Sequence, residues 1–186
     1  MAPLPDFADL PMAALAEWME GDAPPPVDRW HPAREGRIDI RIAADGRWFH
    51  EGGEITRPAM VRLFSRILRR EADGSHVLVT PAEKLAITVE DAPFVALEAR
   101  FEGEGEEAQV AFRLNSGDVV MLGEAHPLRL RDGPAGMLPY LHVRGSFDRP
   151  LEARLARSVY YDCAAHADAH GRLWSGGVAW PLGEIA

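Results

Sequence analysis

The feature that most constrains the fold is an internal similarity between two segments that lie 92 residues apart. WFHEGGEITRPAMVRLFSRIL, residues 48–68, aligns without a gap with YLHVRGSFDRPLEARLARSVY, residues 140–160. Six of the 21 aligned positions are identical: His50/His142, Gly53/Gly145, Arg57/Arg149, Pro58/Pro150, Arg62/Arg154 and Leu63/Leu155. Such self-similarity is typical of a duplication, and the sequence therefore predicts two related lobes.

The spacing of apolar residues predicts the elements of each lobe. Ile38, Ile40 and Ile42 alternate with polar residues, as in a half-buried strand. Asp45-Gly46 then provides a tight hairpin turn. Residues 58–70 have the period of an amphipathic helix with a basic outer face. The order strand, strand, helix, strand is expected to recur in the second lobe, with strands at 128–130 and 140–144, a helix over 150–165 and a last strand over 173–180 that contains a glycine bulge.

These elements predict an α+β fold in three parts. Residues 1–29 form an arm, with a short helix over 9–20 followed by the stiff linker APPPV. Residues 30–90 form the N-terminal lobe. Residues 91–186 form the C-terminal lobe, which is elaborated by an antiparallel meander whose turns are rich in Gly, Asp, Asn and Ser.

Composition limits the classes of partner. A net charge of −9 is unfavourable for general binding to duplex nucleic acid or to an anionic membrane, because such proteins neutralise phosphates with a basic surface. The apolar runs are too short to span a bilayer and the N-terminus lacks the pattern of a signal peptide, so we expect a cytoplasmic protein. The single cysteine, Cys163, excludes an internal disulfide and a thiolate zinc site. No cofactor is expected.

Several motifs resemble those of a bacterial family known as domain of unknown function 1285. They are DGRW at 45–48, RLFSRIL at 62–68, LVTPAEK at 78–84, VEDAPF at 89–94, NSGD at 115–118, HPLRL at 126–130, PYLHVRG at 139–145, LEARLARSVYY at 151–161 and WSGG at 174–177. The resemblance implies a duplicated domain whose C-terminal half is loosely like a pleckstrin-homology fold. It also implies ligand sensing in signal transduction, with a nucleotide-like ligand between the lobes and no established enzymatic activity.

The residues themselves indicate an anion site in the crevice between the lobes, where ligand sites are common. Arg57 and Arg149 are each expected at the start of a helix, where free N–H groups and the helix dipole favour anions. Pairing of these arginines with neighbouring carboxylates is an equally good alternative. Glu83 and the only lysine, Lys84, are expected at a strand end facing the same space, although an exposed ion pair would also explain them. Tyr140, Arg144 and Arg154 complete the predicted ligand-binding set.

Catalytic interpretations have weaker support. Residues 163–170, CAAHADAH, could offer metal ligands, but a polar loop after a helix explains them without a metal. Asp45 with Asp91, or Asp118 with His126, could act as acid and base, but turn formation accounts for these residues. The sequence favours a non-catalytic signalling module that binds a small anionic or nucleotide-like ligand. A hydrolase or transferase in the same cleft, and a protein-interaction adaptor that uses the basic helix 58–70, are the alternatives.

Overall fold

The computed structural model describes residues 24–133 and 136–183, so the predicted helix over 9–20 lies outside the described residues. The N-terminal lobe is a six-stranded sheet with one helix. Its elements are β1 (Arg34–Ile42), β2 (Trp48–His50), β3 (Gly53–Glu54), α1 (Pro58–Arg66), β4 (Leu68–Arg70), β5 (His76–Val79) and β6 (Glu83–Val89).

The C-terminal lobe is a second six-stranded sheet, followed by a helix and a hairpin. Its elements are β7 (Phe94–Glu102), β8 (Gln109–Leu114), β9 (Val119–Met121), β10 (Leu128–Gly133), β11 (Gly136–Arg144), β12 (Leu151–Leu155), α2 (Arg157–Ala165), β13 (Arg172–Ser175) and β14 (Val178–Pro181). The predicted last strand over 173–180 is thus two strands, because Gly176 and Gly177 both have positive φ and form a hairpin turn rather than a bulge.

The two sheets have the same topology. The strand order is β3-β2-β1-β6-β5-β4 in the first lobe and β9-β8-β7-β12-β11-β10 in the second. Each sheet consists of two antiparallel three-stranded meanders, joined where the first strand of the lobe runs parallel to the last, β1 with β6 and β7 with β12. The chain therefore has an α+β fold of two related lobes.

The repeat unit predicted from the sequence is nevertheless wrong. Residues 58–66 form helix α1, but the aligned residues 151–155 form the central strand β12. Leu151, Ala153 and Leu155 are all buried on one face of that strand. The helix over 150–165 is expected because the alignment transfers the helical pattern of residues 58–68 to residues 150–160. The strand forms because its alternating apolar residues pack between β11 and β7.

The helices also occupy different places in the two lobes. Helix α1 lies between the third and fourth strands of its lobe, whereas α2 follows the sixth strand and packs on β7 and β13. Helix α1 ends at Arg66, and residues 68–70 belong to the sheet. The basic helix predicted over 58–70 therefore ends earlier than expected, and its last three predicted residues form strand β4.

One hydrophobic core runs through both lobes. Buried side chains of the N-terminal lobe such as Ile42 and Trp48 belong to the same cluster as Phe112 and Leu141 of the C-terminal lobe. No helix in the described parts of the chain is long and apolar enough to cross a membrane.

The two lobes are in close contact where the β1–β2 turn packs against the β8–β9 turn. Gly46, in the β1–β2 turn, has φ +86°, and its carbonyl oxygen accepts a hydrogen bond of 2.9 Å from the Asn115 side-chain amide. The Oδ1 atom of the same amide accepts a 3.1 Å hydrogen bond from the Val95 N–H. Because an added Cβ at Gly46 would lie 2.7 Å from both Asn115 Nδ2 and Val95 Cγ2, only glycine fits there. The DGRW and NSGD motifs thus serve the packing of the lobes.

Candidate anion-binding site

An arginine-lined cleft of about 140 Å³ lies between the two lobes. The N-terminal lobe contributes Leu68, Arg69 and Arg70 of β4, and the C-terminal lobe contributes residues around the end of β11. Residues 24–28 close one side. The complete lining is Pro24, Pro25, Pro26, Val27, Asp28, Leu68, Arg69, Arg70, Arg144, Gly145, Arg149 and Leu151.

Strand β4 supplies two of the four arginines. Leu68 and Arg69 are both buried, and Arg69 donates 2.8 Å hydrogen bonds to the carbonyl oxygens of Val27 and Trp30. Its Nε donates to Glu71 at 2.6 Å, so the guanidinium is well paired. Arg69 therefore holds the wall of the cleft. The expectation that Arg69 is exposed on a helix is wrong.

A tight turn brings the other two arginines together. Gly145 follows β11 with φ +82°, and a Cβ there would lie 2.7 Å from the Arg149 carbonyl oxygen. This close approach folds residues 145–150 back, so that Arg144 and Arg149 line the same cleft. Arg149 lies in this loop rather than at a helix start, and its Nε is 3.7 Å from Asp148.

Arg144 has the least compensated charge of the four. Its Nε and Nη2 are inaccessible to water and, within the described residues, have no hydrogen-bond partner. Its guanidinium lies 5.4 Å from the centre of the Phe94 ring. Burial, opposed by the charge of Asp118 and to a smaller extent by that of Asp28, lowers the pKa of Arg144 to about 10, and the positive charge of Arg66 contributes to this shift. Arg144 remains charged at neutral pH, with too few polar partners for a buried cation.

Residues beside the cleft offset only part of this charge. Arg70 Nη1 donates to the Pro150 carbonyl oxygen at 3.5 Å, which is at the limit of a hydrogen bond. Asp28 is the one carboxylate among the lining residues. The cleft thus combines converging arginines with a single acid, an arrangement suited to a phosphate or a carboxylate group.

Comparisons with known proteins place the chain in a family. A model described as "Domain of unknown function (DUF1285), N-terminal domain" matches residues 25–92. A second model, "Protein of unknown function (DUF1285), C-terminal domain", matches residues 93–182. The chain belongs to the DUF1285 family.

Two solved structures of DUF1285 proteins are similar to the chain. One is a protein from Silicibacter pomeroyi DSS-3, with 42% identity and a TM-score of 0.78, over 91% of this chain and 93% of that protein. The other is from Shewanella baltica OS155, with 25% identity and a TM-score of 0.53, over 69% of this chain and 92% of that one. Among curated proteins, no match was found.

Five of the seven residues predicted to bind ligand do not line the cleft, and three of these five are Arg57, Glu83 and Lys84. Arg57 is exposed at the N-terminal end of α1. Glu83 is 3.5 Å from Arg34, beside it in the parallel pair of β1 and β6. Lys84 Nζ is 2.8 Å from Glu35 and 3.6 Å from Glu71, and the hydrogen bond to Glu35 raises the pKa of Lys84. The expected convergence of these side chains with Arg149 is not found, and their ligand-binding roles stay predictions.

Tyr140 and Arg154 belong to a polar cluster centred on Asp91. The Tyr140 hydroxyl donates a 2.7 Å hydrogen bond to Asp91, and Arg154 Nε is 3.8 Å from the other carboxylate oxygen. Arg131 lies 3.5 Å from Asp91 and 3.1 Å from Glu152. The Asp91 side chain is 1% exposed. Burial, followed by the hydrogen bond to Asp91, raises the pKa of Tyr140 to about 12, so its hydroxyl stays protonated and continues to donate.

The HADAH segment has structural partners. Asp168 accepts hydrogen bonds from His170, Arg172 and Trp174. Burial opposes ionisation of Asp168, but these donors together lower its pKa. His166 stacks on Phe101 at 3.8 Å. No group of three or more His, Cys, Asp or Glu in the described residues could hold a metal ion, and the absence of a metal in the protein stays a prediction.

Sequence reasoning missed the roles of three residues that the structure places in the cleft or in the polar cluster. The sequence places Asp28 at the end of the arm of residues 1–29, Arg70 on the outer face of a predicted helix and Asp91 in a turn. No signal in the local sequence marks Arg70, because the burial of the adjacent Leu68 and Arg69 appears only in the structure. Nothing in the local sequence indicates the burial of Asp91, since its partners come from β10, β11 and β12.

Proposed function

We propose that this DUF1285 protein is a non-catalytic ligand-binding module that holds the anionic group of a small molecule in the cleft between its lobes. In this proposal the protein is cytoplasmic and acts in signal transduction, where occupancy of the cleft is the signal. The ligand-binding residues are Arg144 and Arg149, with Arg70 at the facing edge of the N-terminal lobe.

The main observation behind the proposal is that Nε and Nη2 of Arg144 are buried without a hydrogen-bond partner among the described residues. A buried guanidinium without full hydrogen bonding is unfavourable by itself. An anion in the cleft would supply the missing charge and acceptors, and a charge-assisted hydrogen bond to a carboxylate or phosphate contributes about 1.5–3 kcal/mol. Because the incompletely paired Arg144 destabilises the folded protein, an anion that pairs with it relieves this destabilisation and gains affinity.

The size of the cleft limits what it can enclose. Pockets for whole drug-sized ligands are roughly 300–1,000 Å³, whereas this cleft is about 140 Å³. It suits one phosphate or carboxylate group, and the remainder of a nucleotide-like ligand would lie outside it. Tyr140 is fully buried and hydrogen-bonded to Asp91, so it does not offer a free face for stacking on a base.

Calorimetric titration with inorganic phosphate, pyrophosphate and a nucleoside monophosphate tests the proposal. Arg144→Gln should weaken binding by roughly 10- to 150-fold, the equivalent of one charge-assisted hydrogen bond. Arg157→Gln is the matched control, because Arg157 is exposed at the start of α2 and, within the described residues, its side chain bonds only to the Tyr161 hydroxyl, at 3.3 Å.

Two outcomes would contradict the proposal. If none of the three anions binds below the millimolar range, or if both variants bind like the wild type, the cleft is not an anion site. Phosphorus NMR of the same mixtures separates binding from catalysis, since turnover of pyrophosphate or nucleotide would favour the hydrolase or transferase alternative.

A further inference from the structure

The guanidinium groups that line the cleft come from both lobes. Arg70 belongs to β4 of the N-terminal lobe, whereas Arg144 and Arg149 belong to the end of β11 and to the loop that follows it in the C-terminal lobe. Arg70 Nη1 is 3.5 Å from the Pro150 carbonyl oxygen, so a weak hydrogen bond already joins the two lobes beside the cleft. One group bound in the cleft can therefore touch both lobes at once.

All three of these guanidiniums are incompletely paired within the described residues. The hydrogen bond from Arg70 to the other lobe is at the limiting distance. Arg149 Nε is 3.7 Å from Asp148, whose side chain is 77% exposed, so this ion pair contributes little. Arg144 Nε and Nη2 have no hydrogen-bond partner. Three cations from two lobes thus line one small space without strong acceptors.

The balance of charge in the cleft fits a dianion. The fourth arginine of the lining, Arg69, is neutralised by its own 2.6 Å ion pair. The three incompletely paired arginines bring three positive charges, and Asp28 is the one carboxylate among the lining residues, which leaves two positive charges. A carboxylate carries one negative charge on two oxygens, whereas a phosphate ester carries about −1.5 to −2 on three. A phosphate therefore matches the three guanidiniums better than a carboxylate does.

We infer that the group held in the cleft is the phosphate of a phosphate ester, and that it bridges the lobes by accepting hydrogen bonds from Arg70 on one side and from Arg144 and Arg149 on the other. This inference rests on the proposed function and adds the chemical class of the ligand. The oxygens of a tetrahedral phosphate point in several directions, so they can meet donors on facing walls. Both oxygens of a carboxylate lie in one plane on the same side of the carbon, which suits a single guanidinium fork.

Such a bridge would join two elements that the fold holds weakly. Strand β4 is the last strand of its sheet and, among the described strands, pairs with β5 alone, so one of its edges has no partner strand. Arg149 lies in the loop 145–150, outside any helix or strand. Elements with few backbone hydrogen bonds open more readily than the centre of a sheet. Bound phosphate is therefore expected to slow opening of β4 and of the loop together, and this joint tightening would report occupancy of the cleft.

Calorimetric titrations with inorganic phosphate and with acetate, at constant ionic strength, test the class of ligand. We expect phosphate to bind at least about tenfold more tightly than acetate, because acetate would leave at least one guanidinium without an acceptor.

Arg70→Gln tests the bridge. It should weaken phosphate binding about tenfold, the lower end of the range for a charge-assisted hydrogen bond. Arg37→Gln is the matched control in the same lobe, because Arg37 is exposed on β1 and donates to the Thr88 hydroxyl at 3.2 Å. The control should bind phosphate like the wild type.

Hydrogen exchange measured by mass spectrometry, with and without saturating phosphate, gives a second measurement of the bridge. In the wild type, phosphate should slow exchange in residues 68–70 and in residues 145–150. In Arg70→Gln, phosphate should slow exchange in residues 145–150 alone. Protection of that loop in the variant would show that the variant is folded and still binds phosphate.

The results separate this inference from the proposed function. If Arg144→Gln weakens phosphate binding, but Arg70→Gln binds like the wild type and residues 68–70 are not protected, the bridge is refuted and the anion site stands. If acetate binds as tightly as phosphate, the assignment of a phosphate ester is wrong and the anion site again stands. If neither anion binds below the millimolar range, both the anion site and the bridge are refuted.

Discussion

Acid should weaken the protein through His76, a histidine of β5 that lies close to cations of both lobes. Burial, followed by the charges of Arg70 and Arg131, lowers the pKa of His76 to about 4. Arg70 is directly opposite His76 in the β4–β5 pair. Arg131 is on β10 of the other lobe. Protonation of His76 would therefore place a third positive charge among buried groups where the lobes meet.

The sign and size of the effect follow from the difference between folded and unfolded protein. The unfolded chain binds a proton at His76 near pH 6.5, whereas the folded chain does so only near pH 4. The free energy of unfolding is unaffected above pH 6.5, decreases as the pH falls through this window, and the loss is complete below pH 4. A shift of about 2.5 pH units corresponds to roughly 3 kcal/mol.

A neighbouring carboxylate changes stability in the opposite direction. Burial raises the pKa of Glu152, despite its pairing with Arg131. This group favours the folded state at low pH, below its unfolded pKa of about 4.5, and that contribution is lost as the pH rises through the higher folded pKa. The two residues partly cancel, so the pH dependence of the wild type alone would underestimate the contribution of His76.

Comparison with His76→Gln isolates the histidine. Chemical denaturation of both proteins between pH 7.5 and pH 4 gives the difference in unfolding free energy at each pH, from which Glu152 cancels. We expect that difference to shift by roughly 3 kcal/mol in favour of the variant as the pH falls. A difference that stays constant across the range would refute the argument. An NMR titration of the His76 ring, assigned by its absence in the variant, would test the folded pKa directly.

Two further predictions concern the close contact at Gly46 and the buried hydrogen bond of Tyr140, and both can be tested by denaturation. Gly46→Ala should cost about 2–4 kcal/mol, because the new Cβ would clash with Asn115 at 2.7 Å and φ is +86°. Gly52→Ala, at φ +80° with no atom within 4 Å, should cost only about 1 kcal/mol, and equal losses would show that backbone strain alone is responsible. Tyr140→Phe should cost about 1–3 kcal/mol, because buried Asp91 loses its hydrogen-bond donor. An unchanged unfolding free energy in Tyr140→Phe would mean that water replaces the hydroxyl.

Local sequence patterns predicted most strands of this fold. The alternation of Ile38, Ile40 and Ile42 and the Asp45-Gly46 turn gave the β1–β2 hairpin, and the meander was predicted at β7–β9. In β1 one face packs on the core, so a period of two is visible in the sequence, whereas β7, β8 and β9 contain runs of buried apolar residues. The tight turns between them need particular residues, which are equally visible.

The errors arise where a strand has polar residues buried between the lobes. In β12, the side chains of Leu151 and Leu155 enter the core, while Glu152 on the other face is only 8% exposed because it lies against Arg131. Such a strand shows no clear polar face, so its pattern does not contradict the helix that the alignment with residues 58–68 predicts. The sequence does not predict which residues line the cleft for a related reason: the burial of Arg69 and Asp91 depends on segments far away in sequence.

The likeness of the two sheets was detected with the wrong register. The sequence alignment pairs β2 with β11, whereas the shared strand order makes β2 equivalent to β8. The recurrence of Arg-Pro at 57–58 and 149–150 therefore reflects two unrelated loops, one that leads into a helix and one that leads into a strand. The relationship of the two lobes is therefore visible in their strand order and not in these matched residues.

The parallel pairing of first and last strands has a consequence for how the protein folds. In the N-terminal lobe, Arg34 pairs with Glu83, and in the C-terminal lobe Phe94 pairs with Ala153. Contacts between residues so distant in sequence form slowly, because a long loop must close first. Neither sheet can be completed until its sixth strand has been synthesised, although the N-terminal lobe can finish before the other begins. A chain truncated before residue 83 would keep β1 as an open sheet edge, and such a fragment is expected to aggregate rather than fold.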